Sequence, residues 1–320
     1  MGDPCGIGPE ITVKVAAFPG FSRQHRTFVI GDRGRLEAEI RKNSLPLRVV
    51  EIGQAKNAIP LDGVLYVLQG PTEPAPLPYG RVDARAGKAA FAYVRHAIEL
   101  ANDRRIDGIC TAPINKEALA AAGVKYPGHT EMLADLSRAP SVAMMLVSKS
   151  LTVALVTNHC ALMEAIHRIS ITEELRVIRL ADRTLQRLGV AKPRIGVAGL
   201  NPHAGEGGLF GTEDRDIINP AVIAARQEGL NVSGPLPPDT VFMQARKGHF
   251  DVVVAQYHDQ GLIPIKLLGV EHGVNLTAGL PYVRTSPDHG TAFDIAGQGI
   301  ANPSSLRMAL EMARDLCCKR

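Results

Sequence analysis

The chain has 320 residues, which is long enough for two domains of ordinary size. Its 36 basic and 32 acidic side chains leave a net charge of only +4, and aromatic residues make up 4%, so a nucleic-acid-binding protein is not expected. No stretch is apolar enough to span a membrane and none resembles a signal peptide, so we expect a soluble protein with no membrane partner. The five cysteines form no CxxC pair, which favours the reducing cytoplasm.

Residues 2–10 read GDPCGIGPE and precede an apolar, helix-like stretch at residues 11–18. Glycine and proline ahead of a helix suit a tight turn whose backbone N–H groups face a ligand. The spacing is not that of the GxGxxG fingerprint, so on its own it is a weak signal. Further along, residues 27–31 and 64–68 are predicted strands, and Asp83 is the predicted N-cap of a helix over residues 84–101.

The segment PGHTE, residues 127–131, forms a polar turn ahead of a predicted helix. His129, Thr130 and the N–H groups of the helix start together suit an anion. Thr130 is equally suited to act as an ordinary N-cap, and the residues alone do not separate the two interpretations. Two neighbouring strands are predicted at residues 142–147 and 151–157, followed by a helix at 172–188 with Thr172 as its N-cap.

Three predicted strands lead directly into a histidine. Residues 151–157 precede His159, residues 194–200 precede His203, and residues 252–255 precede His258. In open α/β sheets, ligands bind outside the carboxyl ends of the strands, so three histidines at such ends can converge as metal ligands. Each could instead cap its strand or contact a carbonyl, which is the commoner role of a single histidine.

The segment YHDQGLIPIK, residues 257–266, has more side chains suited to catalysis than the other two strand ends. Asp259 adds a carboxylate, Gly261 is predicted to turn the chain, and Lys266 follows a few residues on. Asp239, in a proline-rich connector, either lies near the metal or caps the next helix. The glycine-rich residues 204–213 are predicted to wrap the site as a flap. Strands and helices alternate throughout, which predicts an α/β fold with largely parallel sheets.

Five strings along the chain, taken together, resemble the 4-hydroxythreonine-4-phosphate dehydrogenase family of vitamin B6 biosynthesis. They are GDPCGIGPE, PGHTE, NPHAGEGGLFGTE, YHDQGLIPIK and GVNLTAGLPYVRTSPDHGTAFDIAGQG. The resemblance implies a fold like that of isocitrate and isopropylmalate dehydrogenases, with two α/β/α domains and a cleft between them. Residues 1–125 with 273–320 are the expected nucleotide-side domain, and residues 126–272 the expected metal, substrate and dimerisation domain. A homodimer with its site shared across the interface is also implied.

The resemblance also implies a role for particular residues. The implied metal ligands are His159, His203 and His258, with zinc, cobalt, magnesium or manganese as the candidate ion. The implied substrate-binding residues, several of them for phosphate, are His129, Thr130, Lys266, Asn275 and Arg284. Lys266 or a metal-bound water is the candidate general base, and Asp239 and Asp259 are candidate supporting carboxylates.

For the cofactor, the resemblance extends to the nucleotide loop of isopropylmalate dehydrogenases. It implies that His289, Gly290, Asp294 and Asn302 hold the adenosine part of NAD. A carboxylate at Asp294 favours NAD over NADP, because it would repel a 2′-phosphate.

The implied reaction is metal-dependent, NAD-linked oxidation of 4-phosphohydroxy-L-threonine, with loss of CO2, to 3-amino-2-oxopropyl phosphate in pyridoxal phosphate biosynthesis. Relatives oxidise 4-phospho-D-threonate or 4-phospho-D-erythronate in sugar-acid catabolism. These are the alternative substrates, because TNHCALMEA around His159 departs from the threonine-histidine-leucine-proline form of the biosynthetic enzymes. Hypotheses of other classes are a phosphotransacetylase-like acyltransferase and a non-catalytic phospho-ligand sensor. Asp294 and the three histidines count against the first, and the lack of a spare partner-binding segment counts against the second.

Overall fold

The structure, a computed structural model, describes residues 1–71, 76–268 and 273–318. These residues form two compact units. Unit 1 comprises Met1–Ala139 and Leu280–Cys317, and unit 2 contains Pro140–Gly279. Each unit combines strands with helices, so the predicted α/β class is confirmed. The roles assigned to the two domains from the sequence remain predictions.

The strands of both units are short and mostly parallel. Their bounds are β1 Val29–Gly31, β2 Arg48–Glu51, β3 Val64–Gln69, β4 Gly108–Cys110, β5 Ala143–Val147, β6 Thr152–Leu155, β7 Ile195–Ala198, β8 Val232–Leu236, β9 Val252–Ala255, β10 Val274–Ala278 and β11 Val283–Pro287. In unit 1, β3 pairs in parallel with both β1 and β2, and β4 pairs in parallel with β11. In unit 2 the strand order is β10-β5-β6-β9-β7-β8, with only the β10–β5 and β5–β6 pairs antiparallel.

Helices connect these strands in the alternating pattern that the sequence predicts. Their bounds are α1 Gly8–Ala16, α2 Phe21–Gln24, α3 Arg33–Lys42, α4 Ala84–Asn102, α5 Lys116–Ala121, α6 His129–Leu136, α7 Leu162–Arg168, α8 Ile171–Arg187, α9 Asn219–Gln227, α10 Pro238–Arg246, α11 His258–Leu267 and α12 Ser304–Cys318. Within the described ranges, none of them combines the length and the apolar character needed to cross a bilayer.

Helix starts show where local sequence rules succeed and where they fail. Asp83 caps α4 as predicted, and its carboxylate accepts a hydrogen bond of 2.8 Å from the Arg85 N–H. The prediction that Thr172 caps α8 is wrong. Ser170 takes that position and accepts from the Glu173 N–H at 3.2 Å. Ser170 and Glu173 stand at the spacing of a capping box, which outcompetes the later threonine.

The prediction that Gly261 turns the chain is also wrong, because Gly261 lies inside helix α11. The reason is close packing of α11 against β6. A Cβ atom at Gly261 would lie 2.6 Å from Leu155 Cδ2 and 2.7 Å from Val153 Cγ1. The glycine is therefore needed for contact with the sheet rather than for an unusual backbone angle. As a result, His258 is the first residue of α11 and directly follows the end of β9.

The hydrophobic core of unit 2 lies behind these strand ends. Val153 on β6, Val253 on β9 and Leu262 on α11 belong to one buried cluster that also includes side chains of α10. Burial of such side chains contributes roughly 1.5–3 kcal/mol each to folding. The strand ends that lead to the histidines are therefore held in place by this packed core.

Candidate functional site

Three neighbouring parallel strands of unit 2 end at the candidate site. β9 pairs in parallel with β6 on one side and with β7 on the other. Each strand is followed within five residues by a predicted metal ligand, namely His159 after β6, His203 after β7 and His258 after β9. Since parallel strands end at the same edge of a sheet, all three histidines lie at one edge of unit 2.

Two of the three histidines face each other across a pocket. The ring centroids of His159 and His258 are 5.6 Å apart. Because a metal–imidazole bond is about 2 Å long, rings that share one ion stand about 5 Å apart, and the observed separation suits this. The pocket has a volume of about 370 Å³ and is lined by Thr157, Asn158, His159, Cys160, Ala161, Leu162, Ala165, Tyr257, His258 and Asp259.

His258 is oriented by its neighbour. Its Nδ1 lies 2.6 Å from Asp259 Oδ1 at the start of α11. A carboxylate that accepts the Nδ1 proton leaves the Nε2 lone pair of the imidazole for a ligand, which is the usual arrangement around a metal-binding histidine. The placement of Asp259 fits the supporting role predicted for it.

His203 lies in a strained turn. The residues from His203 to Gly207 all have positive φ angles, of 53°, 54°, 79°, 41° and 70° in order. Such a conformation costs a non-glycine residue about 1–3 kcal/mol and is found mainly at functional sites. The buried carboxylate of Asp214 holds the start of the turn, accepting from the N–H groups of Leu200 at 2.7 Å and Asn201 at 3.1 Å. The segment is irregular, as its glycine content predicts.

The His203 ring packs against Phe210, with centroids 6.1 Å apart. In the part of the chain that the structure describes, no three His, Cys, Asp or Glu side chains are grouped closely enough to hold a metal ion. The observed geometry therefore presents two imidazoles, His159 and His258, with the third at the adjacent strand end. This donor set suits a borderline divalent ion such as Zn²⁺.

A second candidate site, in unit 1, is suited to an anion. Arg284 is 3% exposed, and its Nη2 donates to Thr111 Oγ1 at 2.8 Å. Burial lowers the pKa of Arg284 to about 10, so the guanidinium is still charged at neutral pH. Burial, followed by the charge of Arg284, holds the pKa of His129 well below its usual value. His129 Nε2 is buried and has no hydrogen-bond partner among the described residues.

Helix α6 begins at His129, within this same site. Gly128 is its N-cap residue and provides no side-chain bond, so the interpretation of Thr130 as an N-cap is wrong. The helix start therefore keeps backbone N–H groups without a side-chain cap. With a buried guanidinium nearby, such a start suits a phosphate group.

The predicted cofactor residues lie in the loop before α12, also in unit 1. His289 is partly buried, whereas Gly290, Asp294 and Asn302 are exposed. Asn302 Oδ1 accepts from the Ser304 N–H at 3.0 Å. His289 Nδ1 lies 3.0 Å from the Gly290 carbonyl, and its buried Nε2 has no hydrogen-bond partner within the described ranges.

Helix α1 anchors this loop through two residues that sequence reasoning missed. Lys14 Nζ donates to the carbonyls of Gly299 and Ala301, each at 2.9 Å. Glu10 accepts from the Ala301 N–H at 2.8 Å and also pairs with Lys14 at 2.7 Å. The spacing of Glu10 and Lys14 by four residues in a helix was the available signal. The GDPCGIGPE motif thus leads into a helix that holds the loop.

Comparisons with known proteins agree with the family resemblance. A family model described as pyridoxal phosphate biosynthetic protein PdxA matches residues 23–313. A 4-hydroxythreonine-4-phosphate dehydrogenase of Beijerinckia indica is 54% identical over 99% of this chain and 93% of its own length. A D-threonate 4-phosphate dehydrogenase of Cupriavidus necator is 51% identical over 100% of this chain and 96% of its own. The chain belongs to the PdxA family.

Solved structures place the same fold in the PdxA family. A 4-hydroxythreonine-4-phosphate dehydrogenase from Klebsiella pneumoniae superposes with a TM-score of 0.92 at 46% identity, covering 99% of this chain and 96% of the other. A terephthalate 1,2-cis-dihydrodiol dehydrogenase from Burkholderia xenovorans reaches 0.69 at 34% identity, covering 98% and 96%. The dehydrogenase names confirm the predicted enzyme class and count against the acyltransferase hypothesis.

In this PdxA chain the predicted substrate residues divide between the two units. His129, Thr130 and Arg284 belong to unit 1, whereas Lys266 and Asn275 belong to unit 2. Lys266 is exposed in the last turn of α11, and Asn275 lies on β10. Asp239 is the exposed second residue of α10, after Pro237 at the N-cap position, so its interpretation as an N-cap is wrong.

Proposed function

We propose that this protein catalyses the metal-dependent, NAD-linked oxidation and decarboxylation of 4-phosphohydroxy-L-threonine to 3-amino-2-oxopropyl phosphate. The observation that carries the proposal is the facing pair His159 and His258, at the ends of adjacent parallel strands and beside a pocket. The family assignment supports it, because members at up to 54% identity carry the corresponding name. The cysteines in the described part of the chain are free thiols, which supports a cytoplasmic location.

The metal ligands in this proposal are His159, His203 and His258. A divalent ion held there supplies Lewis acidity, which lowers the pKa of the substrate alcohol and stabilises the negative charge that develops as CO2 leaves. Asp259 fixes the proton of His258 on Nδ1, and Lys266 accepts the alcohol proton. Asp239 is a further supporting carboxylate of the same unit.

The substrate phosphate is bound by charged and backbone donors. Arg284 and the start of α6, at His129 and Thr130, provide a buried positive site for it, and Lys266 and Asn275 complete the substrate contacts. Holding the phosphate fixes which carbon faces the nicotinamide. NAD is bound by His289, Gly290, Asp294 and Asn302, with the exposed Asp294 carboxylate accepting from the ribose hydroxyls.

A second candidate substrate is D-threonate 4-phosphate. It is favoured by the names of relatives that are 51% and 47% identical, from Cupriavidus necator and Salmonella typhimurium. The two substrates share the phosphate and the secondary alcohol but differ at the carbon that carries the amino group or hydroxyl. Both therefore use the same phosphate and metal residues.

The test is reduction of NAD by purified, metal-loaded protein with 4-phosphohydroxy-L-threonine, 4-phospho-D-threonate and 4-phospho-D-erythronate offered separately. We expect the highest kcat/KM with the first and a strong preference for NAD over NADP, because Asp294 would repel a 2′-phosphate. Turnover restricted to the other two substrates would keep the chemistry and change the substrate assignment. Absence of turnover with all three in folded, metal-bound protein would contradict the proposal.

We also propose a homodimer whose partner covers the pocket. Several large apolar side chains of unit 2 are exposed, including Met163 at 65% on α7, next to the pocket residue Leu162, and Leu267 at 81% at the end of α11. Apolar exposure of this kind is typical of protein–protein contact surfaces. Leu267→Glu should shift the mass measured by light scattering from dimer to monomer. Leu61→Glu, at an exposed apolar residue of unit 1, is the matched control. A monomeric wild-type protein would contradict the proposal.

A further inference from the structure

One residue ties together the ends of the three strands that lead to the histidines. Gln256 follows β9 directly and is fully buried. Its backbone carbonyl accepts from Thr157 Oγ1 at 2.7 Å and from the Thr157 N–H at 3.2 Å, after the end of β6. Its side-chain Nε2 donates to the Ala198 carbonyl at the end of β7, at 2.8 Å. Gln256 is thus bonded to all three strand ends.

Gln260, one turn into α11, repeats this connection. Its Oε1 accepts from the Gln256 N–H at 2.7 Å, and its Nε2 donates to the Gly199 carbonyl at 2.8 Å. The regular backbone pairing of β7 with β9 ends at Val197 and Val254. Beyond that point, the side-chain amides of Gln256 and Gln260 connect the segment that leads to His203 with the segment that leads to His258. The orientation of these amides therefore determines how firmly the strand ends are held.

The Gln256 side chain lies next to a buried acid. Glu174 on α8 is fully buried, with its carboxyl group beside the Gln256 side chain. Neither oxygen of Glu174 has a hydrogen-bond partner among the described residues, and neither does Gln256 Oε1. Three buried acceptor oxygens with no donor are costly, since each loses its bond to water. A proton on Glu174 reduces this cost, because the resulting O–H is a donor that Gln256 Oε1 can accept.

The surroundings of Glu174 favour that proton. Burial raises the pKa of Glu174 to about 8, the contact with Gln256 lowers it in part, and the carboxylate of Asp214 raises it further. Asp214, which is 1% exposed, is the charged neighbour that acts on this group. At neutral pH the acid is therefore mostly uncharged.

We propose that Glu174 is a positioning residue for the three-histidine site, and that its protonated carboxyl donates a hydrogen bond to Gln256 Oε1. This bond holds the Gln256 amide with its NH2 group on the Ala198 carbonyl. If Glu174 were ionised, the amide would turn its NH2 group toward the carboxylate and lose its bond to the Ala198 carbonyl at the end of β7. The inference rests on the proposed metal function of His159, His203 and His258, because its effect on activity acts through them.

The first test compares Glu174→Leu, which has no donor, with Glu174→Gln, whose NH2 group replaces the proton. We expect Glu174→Leu to weaken Zn²⁺ affinity by about 10–100-fold and to lower kcat, with the KM for NAD unchanged. Glu174→Gln should restore both metal affinity and kcat. Glu173→Gln, at a partly exposed neighbour on the same helix, controls for the change in charge. Equal Zn²⁺ affinity in wild type and a folded Glu174→Leu variant would overturn the proposal.

The second test remains valid if Glu174→Leu does not fold. The folded protein holds this proton more tightly than the unfolded chain, so the free energy of unfolding falls as pH rises from about 4.5 to about 8. Glu174→Gln has no proton to lose at this position, so this decrease in the free energy of unfolding is absent from the variant. In urea titrations, the free energy of unfolding of Glu174→Gln minus that of wild type should therefore increase from pH 5 to pH 8. An advantage that is the same at both pH values would overturn the proposal. This measurement needs no metal. If wild-type protein bound no metal, that result would count against the proposed function but not against the proton on Glu174.

Discussion

His258→Ala should lower kcat by at least about 10³-fold, which corresponds to about 4 kcal/mol of lost transition-state stabilisation. His258 supplies one of the two imidazoles that already face each other across the pocket. Losing it removes one of the three proposed metal ligands, so metal affinity should fall together with turnover. The side chain is partly exposed and its hydrogen bond is to the neighbouring Asp259, so the fold should be retained. Bound metal, kcat and circular dichroism measured on one preparation check this.

The matched control for this prediction is His249→Ala. His249 is exposed and precedes β9, whereas His258 follows it, so the same substitution is made at the opposite end of the strand. We expect metal content and kcat of the control to equal those of wild type. If His258→Ala kept its metal and its kcat, His258 would be excluded from the site and the facing imidazole pair would need another explanation.

Arg284→Met should lower kcat/KM for the phosphorylated substrate by about 10²–10³-fold, because a buried guanidinium in a charge-assisted bond to phosphate is worth several kcal/mol. Methionine preserves most of the apolar volume, and replacing a buried charge by an apolar group is often tolerated by the fold. Inorganic phosphate should inhibit wild type competitively and lose that effect in the variant. The KM for NAD should not change.

Two further substitutions sharpen this prediction. Arg284→Lys keeps the charge but loses the planar pair of donors, so we expect kcat/KM between those of wild type and Arg284→Met. Arg105→Met, at an exposed arginine ahead of β4, controls for the loss of one positive charge in unit 1. An equal rise in the KM values for substrate and NAD in Arg284→Met would indicate general damage to unit 1 instead of a phosphate site.

Much of this architecture follows from local sequence rules. Alternation of strands and helices predicts the α/β class, and Asp83 identifies the start of α4 by its capping bond. The histidines at three strand ends could be predicted because buried β-branched runs precede them and parallel strands end together. These features depend on residues that are close in sequence.

The features that the sequence did not predict depend on distant contacts. The helix α11 has a glycine at position 261 because Val153 and Leu155, about a hundred residues earlier, leave no room for a Cβ atom. Lys14 bonds to the carbonyl of Gly299, 285 residues away. Glu174 is an ordinary helix residue by sequence, and only burial beside Gln256 distinguishes it. Local patterns carry no information about such partners.

The close packing of Gly261 also bears on how the specificity of this enzyme class can evolve. One wall of the pocket is formed by the start of α11, which cannot move from β6 without displacing His258. The lining also includes Leu162, at the start of α7, where 55% of its surface is accessible and substitution costs the core little. Variation that adapts the enzyme to a new acid should therefore accumulate on α7 and spare α11. Libraries for altering the substrate range are best directed at residues 161 and 162, which are exposed.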